Sequence, residues 1–398
     1  MKQFNKQFLT LFSGVGFAQA IPVLISPILT RIYLDVELGE LGRYLAIVGI
    51  LSIALNFKFD AAIVLSKSKT IAKIGLQFNL LLIIINSSIA TLLGGVLIFF
   101  NVIDVLVYDL LLVIISSLLL SLFNSYLFFN NFTEEYIKSS IFKVSQNAAI
   151  AILQVGLSTT GKGLLLGDSL GRLVNTSAAL SRCIFPIKLT PKRIGYFFKK
   201  NIRFLYFSFP HALLGSISSN FLTILLFYYS PKAAGLFFLA NKLVMLPSTL
   251  VSKTIAQLYY KQVSTHKFAR TRNVNLIRNT SYKMLFLWGG FILFVVLLGK
   301  ETFELIFGLG WGKAAETCLL IAPMAFATFF SGTLGFIPNV YDAQKQSFVL
   351  EIISTLFRYS IFLVLVNVHD IDSAILGYSI AVSIFAVIKF FWCLKLLK

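Results

Sequence analysis

"PVLISPILTRIYLDVELG", residues 22–39, sets two prolines and an arginine at the end of a run otherwise fit for the interior of a lipid bilayer, and follows them at once with acids. A charge in that place does one of two things. It snorkels to the headgroups as an anchor, or it faces an internal cavity and binds something. The surrounding chain decides which is open to Arg31.

The composition defines the class. Hydrophobic residues make up 57% of the 398 residues, aromatic residues 15% and charged residues only 13%; the mean hydropathy is +0.85. Soluble domains carry about 25% charged residues, so this is an integral membrane protein. Apolar runs of about 20 residues, the length needed to cross about 30 Å of hydrocarbon as helix, follow one another with short polar breaks. Twelve spans are expected, near residues 8–30, 42–65, 74–100, 105–129, 140–159, 163–181, 204–229, 234–259, 282–299, 315–338, 347–367 and 372–394. No gap holds a soluble domain.

The two longest breaks, "CIFPIKLTPKRIGYFFKKNIRF" (183–204) and "KQVSTHKFARTRNVNLIRNTSYK" (261–283), are both basic. Short loops rich in Lys and Arg stay cytoplasmic. Both termini are therefore expected inside, with most of the acids, among them Asp35, Glu37, Glu40, Asp109, Asp370 and Asp372, outside. The net charge of +19 is spread over many such loops rather than gathered into one patch, so it implies no nucleic-acid partner. Lys2 and Lys6 precede an apolar run with a small-x-small Ala18-Gln19-Ala20, but that run continues to Ile32, which suits an uncleaved first span better than a signal peptide.

Catalytic and metal motifs fail one after another. "GLSTTGKG" (156–163) has the glycine and lysine spacing of a phosphate-binding loop, but Gly163 stands where the magnesium-binding Ser or Thr belongs, in a turn between spans. Cys183, Cys318 and Cys393 have no metal-ligand spacing and read as apolar fillers. His211, His266 and His369 form no triad. No cofactor and no enzyme activity are expected.

What remains are ionisable groups within spans, which are costly there and usually face the bundle interior. In "AGLFFLANKLVMLPSTLVSKTIAQLYYKQ" (234–262), Lys242, Thr249, Lys253, Gln257 and Tyr260 keep to one helical face, with the two lysines about 16 Å apart along it. Ser347, Glu351, Ser354 and Arg358 share another face, where Glu351 and Arg358 can also neutralise one another. Gln19, Ser26 and Thr30 form a third stripe ending beside Arg31; Ser52, Asn56 and Asp60, with Lys58 close by, form a fourth. Asp168 and Arg172, four apart, read as a structural ion pair. A cavity sharing these stripes holds more base (Arg31, Lys58, Lys242, Arg358) than acid (Asp60, Glu351), which suits an anionic ligand.

The stretch "ISPILTRIYLDVELGELGRYLAIVGILSIALNFKFDAAIVL" (25–65) resembles the opening of bacterial polysaccharide and O-antigen flippases of the multidrug/oligosaccharidyl-lipid/polysaccharide (MOP) exporter superfamily. Residues 234–264, "AGLFFLANKLVMLPSTLVSKTIAQLYYKQVS", and 301–346, "ETFELIFGLGWGKAAETCLLIAPMAFATFFSGTLGFIPNVYDAQKQ", resemble later parts of the same proteins. The resemblance implies an all-α polytopic membrane protein with about twelve transmembrane helices in two pseudo-symmetric six-helix lobes around a central cavity. The N-terminal lobe is expected over 1–182, a basic cytoplasmic linker over 183–203 and the C-terminal lobe over 204–398. The implied substrate is an undecaprenyl-pyrophosphate-linked oligosaccharide, moved by alternating access across the bacterial inner membrane, with a polysaccharide polymerase or chain-length protein as a further partner. The cationic cavity residues are then Arg31, Lys58, Lys242, Lys253 and Arg358. Candidate carboxylates for coupling to H+ or Na+ are Asp60, Asp168 and Glu351. Pro22, Pro27, Pro210, Pro247, Pro323 and Pro338 are expected to kink helices. Two rivals are weaker. A drug or cation exporter of this superfamily usually carries a first-span acid, and there is none before Asp35. A polymerase or ligase needs a long outer loop, and the outer breaks are short.

Overall fold

A computed structural model describes residues 16–102, 106–181, 190–265, 286, 288–290, 299–335, 337–341 and 343–397. All regular structure among them is helical. A helix satisfies its own backbone polar groups, which hydrocarbon cannot do for it. The helices are α1 (Gly16–Ile32), α2 (Asp35–Asn56), α3 (Asp60–Val64), α4 (Lys69–Phe99), α5 (Val107–Phe132), α6 (Tyr136–Gly156), α7 (Gly163–Leu180) and α8 (Pro191–Asn201). They continue as α9 (Phe204–Tyr229), α10 (Pro231–Thr265), α11 (Gly312–Gly332), the short α12 (Ile337–Val340), α13 (Gln344–Val368) and α14 (Ile371–Leu397).

Eleven of the expected spans coincide with these helices over their described residues, residues 8–15 of the first lying outside them; the remaining one, 282–299, falls mostly outside the described residues. Among the described residues seven helices, α2, α4, α5, α9, α11, α13 and α14, are each long and apolar enough to cross a membrane by themselves. The chain is a multi-pass membrane protein. α4 shows why: Ile84, Ile89, Leu92, Leu93, Val96 and Phe99 are all exposed, an outer surface tolerable only against lipid.

Three departures from the expected pattern have local causes. The span expected over 42–65 is broken between α2 and α3, where Phe57 and Lys58 take φ values of 47° and 63°. Side chains bear a cost of about 1–2 kcal/mol per residue in that left-handed region. α1 bends at Ile25, between Pro22 and Pro27. α9 opens with a π-helical turn, Phe204–Ser208, just ahead of Pro210, the kind of insertion that bends a helix.

The contacts divide the chain into two units. One holds the described residues up to Tyr33 together with Glu40–Leu225, and the other Leu34–Gly39 with Leu226 onward. The lobe limits read from the sequence, 1–182 and 204–398, therefore differ from the contact grouping. Most of α9 groups with the first unit, where Phe209 packs edge-on to Phe57 at 5.0 Å and Asn220 lies against Gly49.

Within the first unit, α6 and α7 form a close hairpin. A Cβ on Gly167 or Gly171 would come within 2.6 and 2.7 Å of backbone atoms of Gln154 and Ile150. This small-xxx-small spacing is how membrane helices approach without a hydrophobic drive between them. Ile63, Leu76, Phe123, Tyr126 and Phe142 form the adjoining core. Within the second unit, α11 carries Pro323 in its interior, and the N–H of Met324 donates instead to Ser379 Oγ of α14 at 2.9 Å. The first turns of α2 and α10 cross at Gly39 and Gly235.

Candidate functional site

Arg31 sits in the last turn of α1, where a cation complements the negative helix end, and its side chain is exposed. The turn is held in place by its neighbour Tyr33, whose buried hydroxyl donates to the Gln154 carbonyl at 2.6 Å. Ser26 and Thr30 are buried and donate to the Pro22 and Ser26 carbonyls at 2.7 and 3.0 Å. Their stripe therefore packs inside the first unit.

Lys58 owes its position to the left-handed turn after α2. Its backbone N–H donates to Asn56 Oδ1 at 2.7 Å, and its ammonium lies 3.7 Å from Asp60 Oδ2 and 5.3 Å from the centre of the Phe128 ring. Asp60, buried, also accepts from Asn56 Nδ2 at 3.2 Å and from the Ala61 N–H at 2.7 Å. The fourth stripe, Ser52, Asn56 and Asp60, thus closes on itself in the interior. Lys58 and Asp60 form a pair.

Asp168 and Arg172 pair as the sequence spacing predicts, through a two-pronged contact of 2.7 and 2.9 Å. Sequence reading missed what surrounds them. The Tyr44 hydroxyl from α2 reaches Asp168 Oδ2 at 3.2 Å, contacts Ser169 Oγ at 2.9 Å and donates to Ser116 Oγ. The buried carboxylate is thereby satisfied by Arg172 and Tyr44, as burial demands, and the Tyr44 hydroxyl is in turn held by Ser116 and Ser169. Glu351 and Arg358 in α13 also pair, at 3.0 Å, and the guanidinium donates to Thr355 at 2.8 Å and lies over the Tyr378 ring.

Lys242 differs from all of these. It is half-buried on α10, its ammonium lies 5.8 Å from the Phe238 ring centre, and among the described residues no carboxylate pairs with it. Lys253 lies on the same helix, but its side chain is outside the described residues. The predicted cations do not gather in one unit: Arg31 and Lys58 belong to the first, Lys242 and Arg358 to the second.

Lysines at two other places are already paired. Lys162 of the phosphate-loop look-alike pairs with Asp109 and lies 3.9 Å from Glu40, so its charge is already used. A cavity of about 460 Å³ in the second unit is lined by Lys232, Lys313, Thr317, His369, Asp370 and Asp372 among others, and holds none of the predicted cations. Its charges are also engaged: Lys313 meets Asp372 at 3.0 Å and Lys232 meets Asp35 at 3.5 Å. The Asp370 carboxyl is held below its ordinary range by hydrogen bonds from the Ser373 side chain and N–H. Cys318 and Cys393 are buried free thiols, as filler residues would be; Cys183 lies outside the described residues. No cluster able to hold a metal occurs among the described residues.

No family model matches the chain, and no curated protein does. Solved structures do. A MATE protein in complex with MaL6 aligns with a TM-score of 0.66 at 14% identity, over 98% of this chain and 96% of that one. The lipid II flippase MurJ, in an inward closed conformation, aligns with a TM-score of 0.64 at 16% identity, over 98% and 86%. A MOP-superfamily transporter from Pyrococcus furiosus, described as having a binding pocket of reversed polarity, aligns with a TM-score of 0.59 at 13% identity, over 98% and 96%. Over nearly its whole length, the chain has the fold shared by MATE transporters and the MurJ flippase, the fold of MOP-superfamily membrane transporters.

Proposed function

We propose that this protein is a flippase that carries an undecaprenyl-pyrophosphate-linked oligosaccharide, a repeat unit of O-antigen or another surface polysaccharide, from the cytoplasmic to the periplasmic leaflet of a bacterial inner membrane. The observation that carries this reading is the charge pairing inside the membrane helices. Lys58, Arg172 and Arg358 each face a carboxylate, whereas among the described residues Lys242 faces none. The surplus is positive. A pyrophosphate is the ligand such a surplus attracts, and a cation exporter would need the opposite sign. Arg31 and Lys242 are assigned the role of drawing the pyrophosphate into the protein, while the polyprenyl chain stays in lipid. The sugar needs this help because its hydroxyls cannot cross hydrocarbon unsolvated. Lysine supplies the charge as a point, without the guanidinium fork.

The likeness to MATE proteins supports a second reading, export of a cationic drug. The acids available for it, Asp60, Asp168 and Glu351, are all spent on ion pairs, so a bound cation, whether a drug or a coupling H+ or Na+, would have to break one. Binding to the purified protein separates the readings, with undecaprenyl pyrophosphate and ethidium as probes. We expect undecaprenyl pyrophosphate to bind, Lys242→Ala to weaken it about tenfold and Lys242→Arg to retain most of it, in line with about 1.5–3 kcal/mol for a hydrogen bond to a charged group. Arg31→Ala should weaken it likewise. Tight ethidium binding with no response to undecaprenyl pyrophosphate would sink the flippase reading. Undecaprenyl pyrophosphate binding untouched by either alanine would leave the cargo but remove these two residues.

A further inference from the structure

The basic break between the sixth and seventh expected spans contains a folded element that hydropathy conceals. α8 begins at Pro191, with Thr190 capping it by accepting from the Arg193 N–H at 3.4 Å. At 100° per residue, Lys192, Arg193, Tyr196, Lys199 and Lys200 fall within one third of its circumference, and Ile194, Phe197 and Phe198 fall opposite. All five of the former are exposed and Phe197 is fully buried. The helix is split cleanly into a basic face and an apolar one.

The apolar face is already occupied by protein. The Phe197 ring sits on Gly75 of α4, where an added Cβ would meet it at 2.7 Å, and packs with Phe78 at 5.4 Å. Phe198 packs on Phe59 at 5.7 Å. α8 is thus fixed against the end of α4 and runs on, through Arg203, into the membrane helix α9. That places it where membrane helices emerge from the hydrocarbon.

The sequence around α8 is devoid of acids. Between Asp168 and Glu301 the chain contains neither Asp nor Glu, and α4, against which α8 packs, contains none and begins with Lys69 and Lys73. Lys200 lies 5.6 Å from the centre of the Tyr196 ring, which adds an aromatic residue of the kind that settles at headgroup depth. Four to eight basic residues on an amphipathic helix at a membrane surface form an attractor for anionic lipid.

We propose that the exposed face of α8, Lys192, Arg193, Tyr196, Lys199 and Lys200, binds the headgroups of anionic phospholipids in the leaflet at this end of the helices, the cytoplasmic one by the distribution of basic loops. Docking through Phe197 holds the cations in place before lipid arrives, so binding costs little ordering. The site is separate from the residues assigned to the cargo.

The test uses the full-length protein in phosphatidylcholine nanodiscs with trace nitroxide-labelled phosphatidylglycerol or phosphatidylcholine, and reads the motionally restricted lipid by electron paramagnetic resonance. We expect a preference for phosphatidylglycerol that falls about tenfold in the K192Q/K199Q/K200Q variant, since each basic residue near the surface contributes substantially. It should also fall in 1 M salt, where the Debye length is about 3 Å. A control variant with two lysines removed elsewhere, K138Q/K395Q, should keep the preference. The proposal is overturned if the wild type shows no preference, if the α8 variant keeps it, or if both variants lose it equally.

Discussion

Gly39 and Gly235 stand in a reciprocal contact. A Cβ built on Gly39 would lie 2.2 Å from the Pro231 carbonyl oxygen and 3.0 Å from the Gly235 nitrogen, and one built on Gly235 would lie 1.8 Å from the Asp35 oxygen and 3.1 Å from the Gly39 nitrogen. Each glycine meets the carbonyl one helical turn before the other, as in a two-fold contact. The Lys232 and Asp35 charges, 3.5 Å apart, strap the same crossing. Gly39→Ala and Gly235→Ala should each lower the thermal unfolding temperature, with about 1–3 kcal/mol of overpacking. Gly95→Ala, with no atom within 4 Å of its added Cβ, should change stability by less than about 1 kcal/mol. Equal effects at all three would show that the crossing is not tight.

Removing one member of the Asp168 and Arg172 pair leaves the other buried and uncompensated, a loss of about 3–5 kcal/mol. Asp168→Leu and Arg172→Met should each reduce the yield of folded protein, and the double variant should recover much of it. Because Tyr44 also reaches Asp168, recovery should improve further with Tyr44→Phe. A double variant as poor as the worse single one would show that the two residues do more for folding than neutralise each other.

Ser379 is fully buried and accepts from the Met324 N–H that follows Pro323. Ser379→Ala should cost about 1–3 kcal/mol by orphaning that donor. In a Pro323→Ala background, where α11 can restore its own hydrogen bonds, the cost should shrink. Thermal unfolding of the four proteins gives the coupling, and additive effects would show that the serine does not serve the proline break.

Single cysteines at Lys192 and Asp370 should react from opposite sides of the membrane, Lys192→Cys from the cytoplasm and Asp370→Cys from the periplasm. Both residues are exposed, so labelling of whole cells with an impermeant maleimide reads the answer. Reaction of both from one side would break the predicted topology.

The membrane class, the order of the helices and their approximate ends were determined by the sequence alone, because a bilayer demands about 20 apolar residues per crossing whatever the helix packs against. Local pairings were equally accessible: Asp168 with Arg172 and Glu351 with Arg358 lie one and two turns apart on single helices. Tertiary structure alone decided the rest. Which cations are neutralised depends on neighbours distant in the chain, such as Asp109 and Glu40 beside Lys162, and Lys58 turns toward Asp60 only because two residues adopt a left-handed backbone. The Ser26, Thr30, Ser52 and Asn56 stripes share a helical face with charged groups, yet periodicity specifies a face without saying whether protein or a cavity covers it. α8 escaped notice because hydropathy averages its buried Phe197 with the lysines around it, and its amphipathic face became visible only when Gly75 gave that ring a place to dock. Gly39 and Gly235 meet because backbone approaches backbone, and a contact made through absent side chains leaves no periodic trace in the sequence.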